Sequence, residues 1–590
     1  MNINKKLNDA LNLFNKGNLA KSRDILIKIH SVKPQNTEVL NHLAIINFRT
    51  NNRVEAINCL KQSLNIKFDS SLAMNLFLML EEFSDWNEII NFYVKFKNKY
   101  KFNTDLLLLV AKAYRENKNH SQSLLLLQEI YETDNANINV IISYSYTLNM
   151  LEKYNESIKV LEEAVGRGLN NYHIFYNLGI SYGNLSKHLE AIKYLSKASE
   201  IEKNDINLWL TLANQANLLR DVIETQKYLE EAKKINPSHP LVIFNEGFFN
   251  LGNGNVDKAL QLFETVIKSD PNNIEANYFI GLALLMKNEY KKAMPFYSYR
   301  CKRKNYSGFF DDSDLKEIKS TDNILIAWEQ GIGDQILYLR LMDNFIRHYP
   351  NVTYISIDKL YPLLKYNFPE INIVKESERE DFLIEHNFDV KLNLGSLIHY
   401  VDETSLSLNE SRWLKAIPNN QNPKTNLTNK IKKIGISWKS NGVQAGKDKS
   451  ITLDKFSPLF DIENCLLVNL QYGDIKNELE SINKNYKTII HLDEQLDYFN
   501  DMEGLVNIIE SCDIVITTSN VTAHLSGAMG KKSLILIPYS YGKLWYWYEK
   551  MDRSKWYPNT ELFLQEKDEK WETVIRKVKK RAEELISFDI

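Results

Sequence analysis

The sequence predicts an all-α helical-repeat solenoid followed by an α/β region that consists of two doubly wound domains. Three observations predict this: a repeat of about 34 residues through the first half, short apolar strands alternating with helices after residue 320, and two strand–turn–helix segments, 323–340 and 513–530. Strands that alternate with helices are typical of parallel sheets covered on both faces. The predicted ranges are 3–307 for the solenoid, 321–420 and 433–565 for the two α/β domains, and 566–590 for a C-terminal helix.

The repeat is defined by a small residue that opens the second helix of each unit. It recurs at Ser22, Ala56, Ile90, Ser123, Ser157, Ala191, Thr225, Ala259 and Ala293, where Ile90 is the one larger residue. The successive spacings are 34, 34, 33, 34, 34, 34, 34 and 34 residues. A large side chain follows four residues later in nearly every unit, and proline ends the second helix at Pro34, Pro237 and Pro271. Small residues let two helices approach closely, and proline stops a helix. The pattern resembles the tetratricopeptide repeat, with about nine units.

Stacked repeats of this kind can form a binding surface. A curved solenoid has a concave face that can hold an extended peptide. The repeats therefore predict a protein or peptide partner. A purely structural scaffold and a surface for a homo-oligomer remain open alternatives.

The composition excludes several classes of protein. The chain has 590 residues, of which 44% are apolar and 25% charged, and its net charge is −2, so we expect no nucleic-acid partner. The N-terminus lacks the apolar core of a signal peptide, and we expect no membrane span because no run approaches about 20 apolar residues. The cysteines have no metal-ligand spacing and predict reduced thiols, no metal site and a cytoplasmic protein; they are Cys59, Cys301, Cys465 and Cys512.

The second half contains short apolar runs that are typical of buried parallel strands. They lie at 323–327, 352–357, 371–374, 389–394, 433–437, 465–470, 487–491, 513–517 and 533–537. A polar stretch at 415–432 predicts a linker, and 568–586 predicts a helix that packs back on the domains. Ligands of such sheets bind at the carboxyl ends of the strands, so we expect a cleft between the two domains to hold the site.

The first turn, 329–335, contains Gly331, Gly333 and Asp334 where a strand ends and a helix begins. The glycines allow a tight turn and close approach to a ligand, and the helix N-terminus favours anionic groups. Asp334 has two interpretations: a helix N-cap, or a general base that takes a proton from an acceptor hydroxyl. A dinucleotide-binding turn is the rival, but position 336 is Ile where a third glycine is required.

The second turn, 517–524, gathers hydroxyl and amide side chains at the start of another helix. Ser519, Asn520, Thr522 and the slim Ala523 are suited to hold a phosphate against the helix N-terminus. His524 either donates to that phosphate or is a packing histidine. The further small residues of this helix let it press on the sheet; they are Gly527, Ala528 and Gly530.

Three further polar residues follow neighbouring strands of the second domain. Lys439 and Lys449 are candidates to offset phosphate charge on a leaving nucleotide, and the sequence does not choose between them. A merely solvated loop explains both equally well. Gln471 and Tyr472 fall on the same edge, and Gln471 is a candidate donor-binding residue. The aromatic run 545–548 predicts either stacking on a ligand or packing in a core.

The order of these motifs carries a resemblance to a known family. AWEQGIGDQILYLR, ISWKSNG, KSITL, NLQYGD, ITTSNVTAHLSGAMGK and RSKWYPNTELFLQ occur in that order. Together they resemble bacterial tetratricopeptide-repeat glycosyltransferases, whose catalytic region is similar to lipopolysaccharide heptosyltransferases (glycosyltransferase family 9) and more distantly to O-linked N-acetylglucosamine transferases (family 41). The resemblance implies a GT-B fold of two Rossmann-like domains. It also implies a nucleotide-sugar donor as co-substrate, bound mainly by the C-terminal domain, with no metal or other cofactor.

The resemblance assigns roles by position. Gly333-Asp334 matches the Gly-Asp pair whose acid is the family's proposed base, and Gly331 lies in the same turn. The segment with Ser519, Asn520, Thr522, Ala523 and His524 matches the donor-phosphate segment. Two departures put the donor identity in doubt: an Asp that often precedes the Ala-His pair is absent, and Lys447-Asp448-Lys449 stands where many members have an Arg-rich run.

These observations predict a metal-independent glycosyltransferase that moves a sugar to an acceptor hydroxyl, on a protein presented by the repeats. Transfer to a lipid or glycan acceptor is one alternative. The other is a non-catalytic adaptor with a degenerate transferase lobe.

Overall fold

The structure is a computed structural model. It describes residues 3–304, 306–401, 412–418, 431–441, 445–486, 490–539, 542–548, 552–567 and 569–587, the side chains of Ala445 and Asn483 excepted. The chain forms two compact units, Met1–Asn236 and Pro237–Ile590. The predicted domain ranges follow the sequence periods rather than this partition, and they stay predictions.

The first unit consists of paired antiparallel helices. They are α1 (Ile3–Asn15), α2 (Leu19–Val32), α3 (Thr37–Arg49), α4 (Arg53–Ile66), α5 (Ser70–Glu82), α6 (Trp86–Phe96), α7 (Thr104–Glu116), α8 (His120–Thr133), α9 (Ile138–Met150), α10 (Tyr154–Gly166), α11 (Tyr172–Asn184), α12 (His188–Ile201), α13 (Ile206–Leu218) and α14 (Val222–Ile235). The small residues that define the period are buried where the helices meet; Ser22, Ala56 and Ala191 are 0% exposed. The predicted helical repeats are confirmed.

Each turn inside a pair contains one residue in the left-handed region. Glycine fills it at Gly17, but Asn51 and Lys118 have φ of 62° and 60°. A left-handed residue ends a helix sharply by allowing the chain to reverse. Because most of these residues are not glycine, this second periodic signal is hidden in the sequence.

The second unit begins with the last two helix pairs. They are α15 (Pro240–Gly252), α16 (Val256–Ser269), α17 (Ile274–Met286) and α18 (Tyr290–Tyr297), followed by a 3₁₀ turn, Ser298–Lys302. Gly281 lets α17 approach α18 closely, since a Cβ there would lie 2.4 Å from the Tyr297 backbone nitrogen.

The first sheet is parallel, with strand order β3-β2-β1-β4. The strands are β1 (Ile324–Ala327), β2 (Val352–Ser356), β3 (Asn372–Lys375) and β4 (Val390–Asn393), and the helices are α19 (Ile332–Leu339), α20 (Met342–His348), α21 (Tyr361–Asn367), α22 (Arg379–Glu385) and α23 (Leu397–Tyr400). β1 and β2 are buried along their whole length because both faces are covered. The turn after β1 therefore lies at the carboxyl edge of a central strand.

The second sheet is also parallel, with strand order β10-β9-β8-β5-β6-β7. The strands are β5 (Lys432–Ser437), β6 (Cys465–Asn469), β7 (Ile490–His491), β8 (Ile514–Thr518), β9 (Lys532–Ile537) and β10 (Thr560–Leu564), and the helices are α24 (Ala445–Lys449), α25 (Lys476–Tyr486), α26 (Met502–Ser511), α27 (Val521–Ala528) and α28 (Trp571–Ser587). The predicted parallel α/β region is confirmed, whereas the GT-B arrangement stays a prediction. The sequence analysis missed β10.

Three predicted segments need comment. The predicted strand 487–491 and the predicted linker 415–432 lie partly outside the described residues, at 487–489 and 419–430. The predicted C-terminal helix is α28, which packs on the second sheet through Val574, Ile575 and Val578. Within the described residues, no helix combines the length and the apolar character needed to cross a bilayer.

Candidate functional site

A cavity of about 320 Å³ opens at the carboxyl ends of strands from both sheets. This volume is within the range of small-molecule sites. Several residues that the sequence singled out line it together: Gly331, Gly333, Asp334, Lys449, Ser519, Asn520 and His524. Lys439, Gln471, Thr522 and Ala523 do not belong to the lining. We call this cavity the inter-sheet pocket.

Asp334 is the third residue of α19, not its N-cap. Gly331 holds the cap position, and its amide donates to Asp334 Oδ2 at 3.1 Å. The N-cap interpretation was therefore wrong by three residues, because the carboxylate reaches back along the first turn. Tyr546 donates its hydroxyl to Asp334 Oδ1 at 3.1 Å. Both carboxylate oxygens are thereby oriented at the edge of the pocket.

The surroundings of Asp334 change the basicity of its carboxyl. Burial raises the pKa of its carboxyl, while the Gly331 amide, Lys449 and the Tyr546 hydroxyl act in the opposite direction. A base is more effective when its pKa lies closer to the working pH. The site thus holds a carboxylate that is more basic than an exposed aspartate.

The two turns touch each other at Gly333 and His524. A Cβ on Gly333 would lie 2.6 Å from His524 Cδ2 and 3.0 Å from Nε2, so any other residue there would displace the imidazole. Glycine at this position is explained by close approach between α19 and α27, not by an unusual φ. Both residues line the inter-sheet pocket.

His524 both packs in a core and faces the pocket. It is 2% exposed, and the Tyr546 and Trp547 ring centroids lie 5.2 and 5.4 Å from its own. Its Nδ1 lies 3.0 Å from the Tyr557 hydroxyl oxygen. Burial, with a smaller contribution from Lys449, lowers the pKa of His524 to about 3. The imidazole is therefore neutral at physiological pH, and a hydrogen bond from Tyr557 to Nδ1 would leave Nε2–H as a donor.

The conformation of the second turn is fixed by hydrogen bonds of the Asn520 side chain. As the N-cap of α27, its Oδ1 accepts from the Thr522 amide at 2.9 Å, and its Nδ2 donates to the Lys439 carbonyl at 2.9 Å. Ser519 Oγ is buried and has no hydrogen-bond partner among the described residues. Since Ser519 lines the pocket, its hydroxyl is available to a ligand at the helix N-terminus.

The structure places the two candidate lysines differently. Lys449 lines the pocket, and burial lowers the pKa of its ammonium while Asp334 and Asp448 act against that shift. Lys439 pairs with Glu478 outside the lining. Lys449 is therefore the better placed cation for a ligand in this cavity.

Gln471, Thr522 and Ala523 belong to the support of the second turn. Gln471 is 1% exposed, and its Oε1 accepts from the Trp438 and Lys439 amides, both at 2.7 Å. Thr522 and Ala523 are 0% exposed. Their predicted contacts with a donor stay predictions.

Sequence reasoning missed much of the lining. Lys359, in the 3₁₀ turn after β2, lies with its Nζ 4.4 Å from the Phe499 ring centroid, and Tyr498 also belongs to the lining. Nothing local in the sequence links residues so far apart. In the run 545–548, Trp545 and Trp547 are buried in the core, and only Tyr546 reaches Asp334.

Among the described residues, no group of three or more His, Cys, Asp or Glu side chains is arranged to hold a metal ion.

Comparison with known proteins identifies the repeats. Residues 251–305 and 172–205 match tetratricopeptide-repeat families. The prediction of tetratricopeptide repeats is confirmed. Neither match extends into the α/β region.

One curated protein is similar over a longer stretch. Protein FlbA of Caulobacter vibrioides is 23% identical over 277 residues, which are 43% of this chain and 45% of FlbA. This chain therefore spans about half the length of that relative.

Several solved structures are similar to part of the chain. They include the APC/C hetero-tetramer Cut9-Hcn1 (14% identical, 48% of this chain and 55% of that chain, TM-score 0.34), YrrB, "a TPR protein with an unusual peptide-binding site" (20%, 29% and 89%, TM-score 0.25), and a thermophilic TPR protein of Thermus thermophilus (16%, 30% and 97%, TM-score 0.28). At these TM-scores the likeness does not bear on the function of this chain.

Proposed function

We propose that this chain transfers a sugar from a nucleotide-sugar donor to an acceptor hydroxyl in the inter-sheet pocket. One observation carries the proposal: the pocket brings together the Asp334 carboxylate and the N-terminal end of α27, with Ser519 and Lys449 beside it. A transferase of this kind needs a proton acceptor near the reacting hydroxyl and positive charge near the departing phosphate. The order of motifs that resembles the glycosyltransferases supports the same conclusion.

The donor phosphates would bind at the second turn. The N-terminus of α27 lies at the pocket, where Asn520 and Val521 belong to the lining, and an anion is stabilised at a helix N-terminus. Ser519 Oγ, which lacks a partner among the described residues, would donate to a phosphate oxygen. Lys449 would offset the negative charge that grows on the phosphate as it leaves.

The transfer step follows from these placements. The acceptor oxygen attacks the anomeric carbon, a new carbon–oxygen bond forms, and the bond from that carbon to the donor phosphate breaks. The electron pair leaves with the nucleotide phosphate, which Lys449 and the α27 amides stabilise. Asp334 takes the proton of the acceptor hydroxyl, so charge and atoms balance without another reactant.

The acceptor is proposed to be a protein or peptide held by the tetratricopeptide repeats. Repeats of this class commonly offer a surface for an extended peptide. Two of their helix pairs, α15–α18, lie in the same compact unit as the pocket. A lipid or glycan acceptor is the alternative, and a screen of acceptors distinguishes it from a protein acceptor.

Replacing Asp334 by Asn tests the proposal. The side chain keeps its size and can still accept from the Gly331 amide, but it cannot take a proton. We expect donor binding to persist and turnover to fall about 10²–10⁴-fold. The measurement is release of nucleotide from a panel of UDP-, GDP-, ADP- and CMP-sugars, with affinity measured separately by calorimetry.

Three other results would contradict this reading. Unchanged turnover in Asp334→Asn removes Asp334 as the base. Binding of NAD with hydride transfer favours an oxidoreductase. Donor binding without turnover in the wild-type protein, across protein, lipid and glycan acceptors, favours an adaptor.

A further inference from the structure

The first turn of the pocket is anchored by an ion pair from outside the sheet. Arg300, in the 3₁₀ turn after the last repeat helix, donates to Glu329 through Nε at 2.9 Å and Nη2 at 2.7 Å. Arg300 is 2% exposed and Glu329 is 0% exposed. Glu329 comes two residues after β1 and two residues before Gly331, so the pair holds the chain just where it enters the turn.

The Glu329 carboxylate is saturated with donors. Its Oε1 also accepts from the Gly395 amide at 2.7 Å, and its Oε2 accepts from the Tyr306 hydroxyl at 2.8 Å. Arg300 donates further to Ser396 Oγ at 2.7 Å. A two-pronged arginine–carboxylate pair fixes direction as well as distance. Rotation of Glu329 would break contacts to several separate segments at once.

The next residue is held in an uncommon backbone conformation. Gln330 has a φ of 61°, in the left-handed region that a non-glycine residue rarely adopts. Its side-chain Nε2 donates to the Tyr297 hydroxyl at 2.9 Å, and its amide donates to Ser307 Oγ at 3.3 Å. Such backbone strain persists only where the surroundings impose it, and it is concentrated at functional sites. Here the imposing contacts come from Tyr297 and Ser307.

Fold stability alone does not account for the pair. Taking two charges out of water costs about as much as their attraction returns, and apolar residues of similar volume often serve stability as well. What a buried pair with many fixed partners provides is one defined geometry. The geometry in question is that of the turn that carries Asp334.

We propose that Arg300 and Glu329 are positioning residues for the transfer reaction, and that the segment after the last tetratricopeptide repeat is thereby a structural part of the active site. The inference rests on the proposed function for its catalytic consequence. Neither residue lines the pocket. They act through the backbone between Trp328 and Gly331.

Hydrogen exchange tests the positioning without any substrate. In Arg300→Met, Glu329 loses its charge partner, and we expect amides of 328–340 to exchange about tenfold faster or more while amides of 514–530 keep their rates. Arg303→Met is the control for loss of an arginine in the same segment, because Arg303 makes a two-pronged but partly exposed pair with Glu275 at 2.9 and 3.0 Å. Unchanged exchange over 328–340 would overturn the proposal, as would an equal increase in both segments.

The pH dependence of turnover supplies a second readout. Glu329 raises the pKa of Asp334 through its charge. Glu329→Gln removes this negative charge and should move the acid limb of the turnover profile to lower pH. Loss of Arg300 leaves the negative charge without its positive partner and should move the acid limb to higher pH. A role confined to folding would lower activity without moving the limb in opposite directions.

Conservative variants keep the test decisive. Arg300→Lys retains the charge but not the fork, so we expect intermediate exchange rates and a limb closer to the wild-type position. If Arg300→Met does not fold, Arg300→Lys and Glu329→Gln decide by the same criteria. If the wild-type protein turns over no donor, the proposed function fails, whereas the exchange result still confirms or overturns the positioning.

Discussion

The two turns of the inter-sheet pocket are built alike but equipped differently. Both follow a buried central strand and open a helix of eight residues, α19 and α27. The first turn presents a carboxylate, Asp334, and is fastened by the buried charges of Arg300 and Glu329. The second presents hydroxyl and amide groups and is fastened by the neutral side chains of Asn520 and Gln471.

The difference corresponds to the group that each turn is proposed to bind: a proton at the first turn and an anion at the second. A proton acceptor beside a buried carboxylate is influenced by every nearby charge, so an ion pair behind it sets its basicity as well as its place. A turn that receives an anion needs donors and a helix N-terminus, and neutral amides can hold it without competing for that anion. Under the proposed function, one architecture supplies a base on one side and an anion site on the other.

Apart from loss of the Asp334 carboxylate, the largest effect should come from disturbing the contact between the two turns. In Gly333→Ala the added Cβ would lie 2.6 Å from His524 Cδ2, so the imidazole at the contact between the two turns must be displaced. We expect turnover to fall about 100-fold, because small displacements of reacting groups cost that much. Steady-state turnover with the best donor measures it.

Gly166→Ala is the matched control, since a Cβ there meets nothing within 4 Å. It should leave turnover unchanged. Full activity in Gly333→Ala would show that the contact between the turns is dispensable.

A smaller effect should distinguish the two lysines. Lys449 lines the pocket and Lys439 pairs with Glu478. Loss of a hydrogen bond to a charged group costs about 10-fold or more in affinity, so Lys449→Met should raise the nucleotide dissociation constant by that factor. Lys439→Met should change it little. Calorimetry measures both, and the reverse order of effects would move the anion site away from Lys449.

The smallest effect concerns acid sensitivity. The pKa of His524 is about 3 in the folded chain, below the ordinary value near 6.5, so the unfolded chain binds the proton more readily. The stability contributed by the neutral imidazole is present above pH 6.5 and is lost as the pH falls toward 3. In His524→Gln this part of the pH dependence should disappear.

Thermal unfolding midpoints at pH 7, 5 and 4 measure the difference between wild-type and variant chains. Parallel pH dependence in the two proteins would place the acid sensitivity elsewhere.

The comparison also shows what the sequence can predict. Both turns were recognisable because an apolar strand followed by small residues and a helix is a local pattern, and Gly331, Gly333, Asp334 and Ser519 lie in it. The period of the repeats was equally visible, since each unit repeats the same helix contact.

What the sequence could not predict depends on distant residues. Lys359 and Phe499 meet only because two sheets face one another, and Arg300 pairs with Glu329 only because a repeat helix ends beside β1. The choice between Lys439 and Lys449 depended on Glu478, which pairs with Lys439 and lies in a different segment of the sequence. Of the two interpretations of Asp334, the helix N-cap was wrong because Gly331 takes the cap position, and the general base stays a prediction.

Nucleotide binding by the wild-type chain tests the central claim most directly. Calorimetric titration with UDP, GDP, ADP and CMP should show that one of them binds, and that Lys449→Met weakens this binding about 10-fold or more. The bound nucleotide should also raise the thermal unfolding midpoint, since a ligand at about 100 times its dissociation constant adds about 2.7 kcal/mol. If no nucleotide binds at millimolar concentration, the inter-sheet pocket is not a donor site and the proposed transfer is wrong.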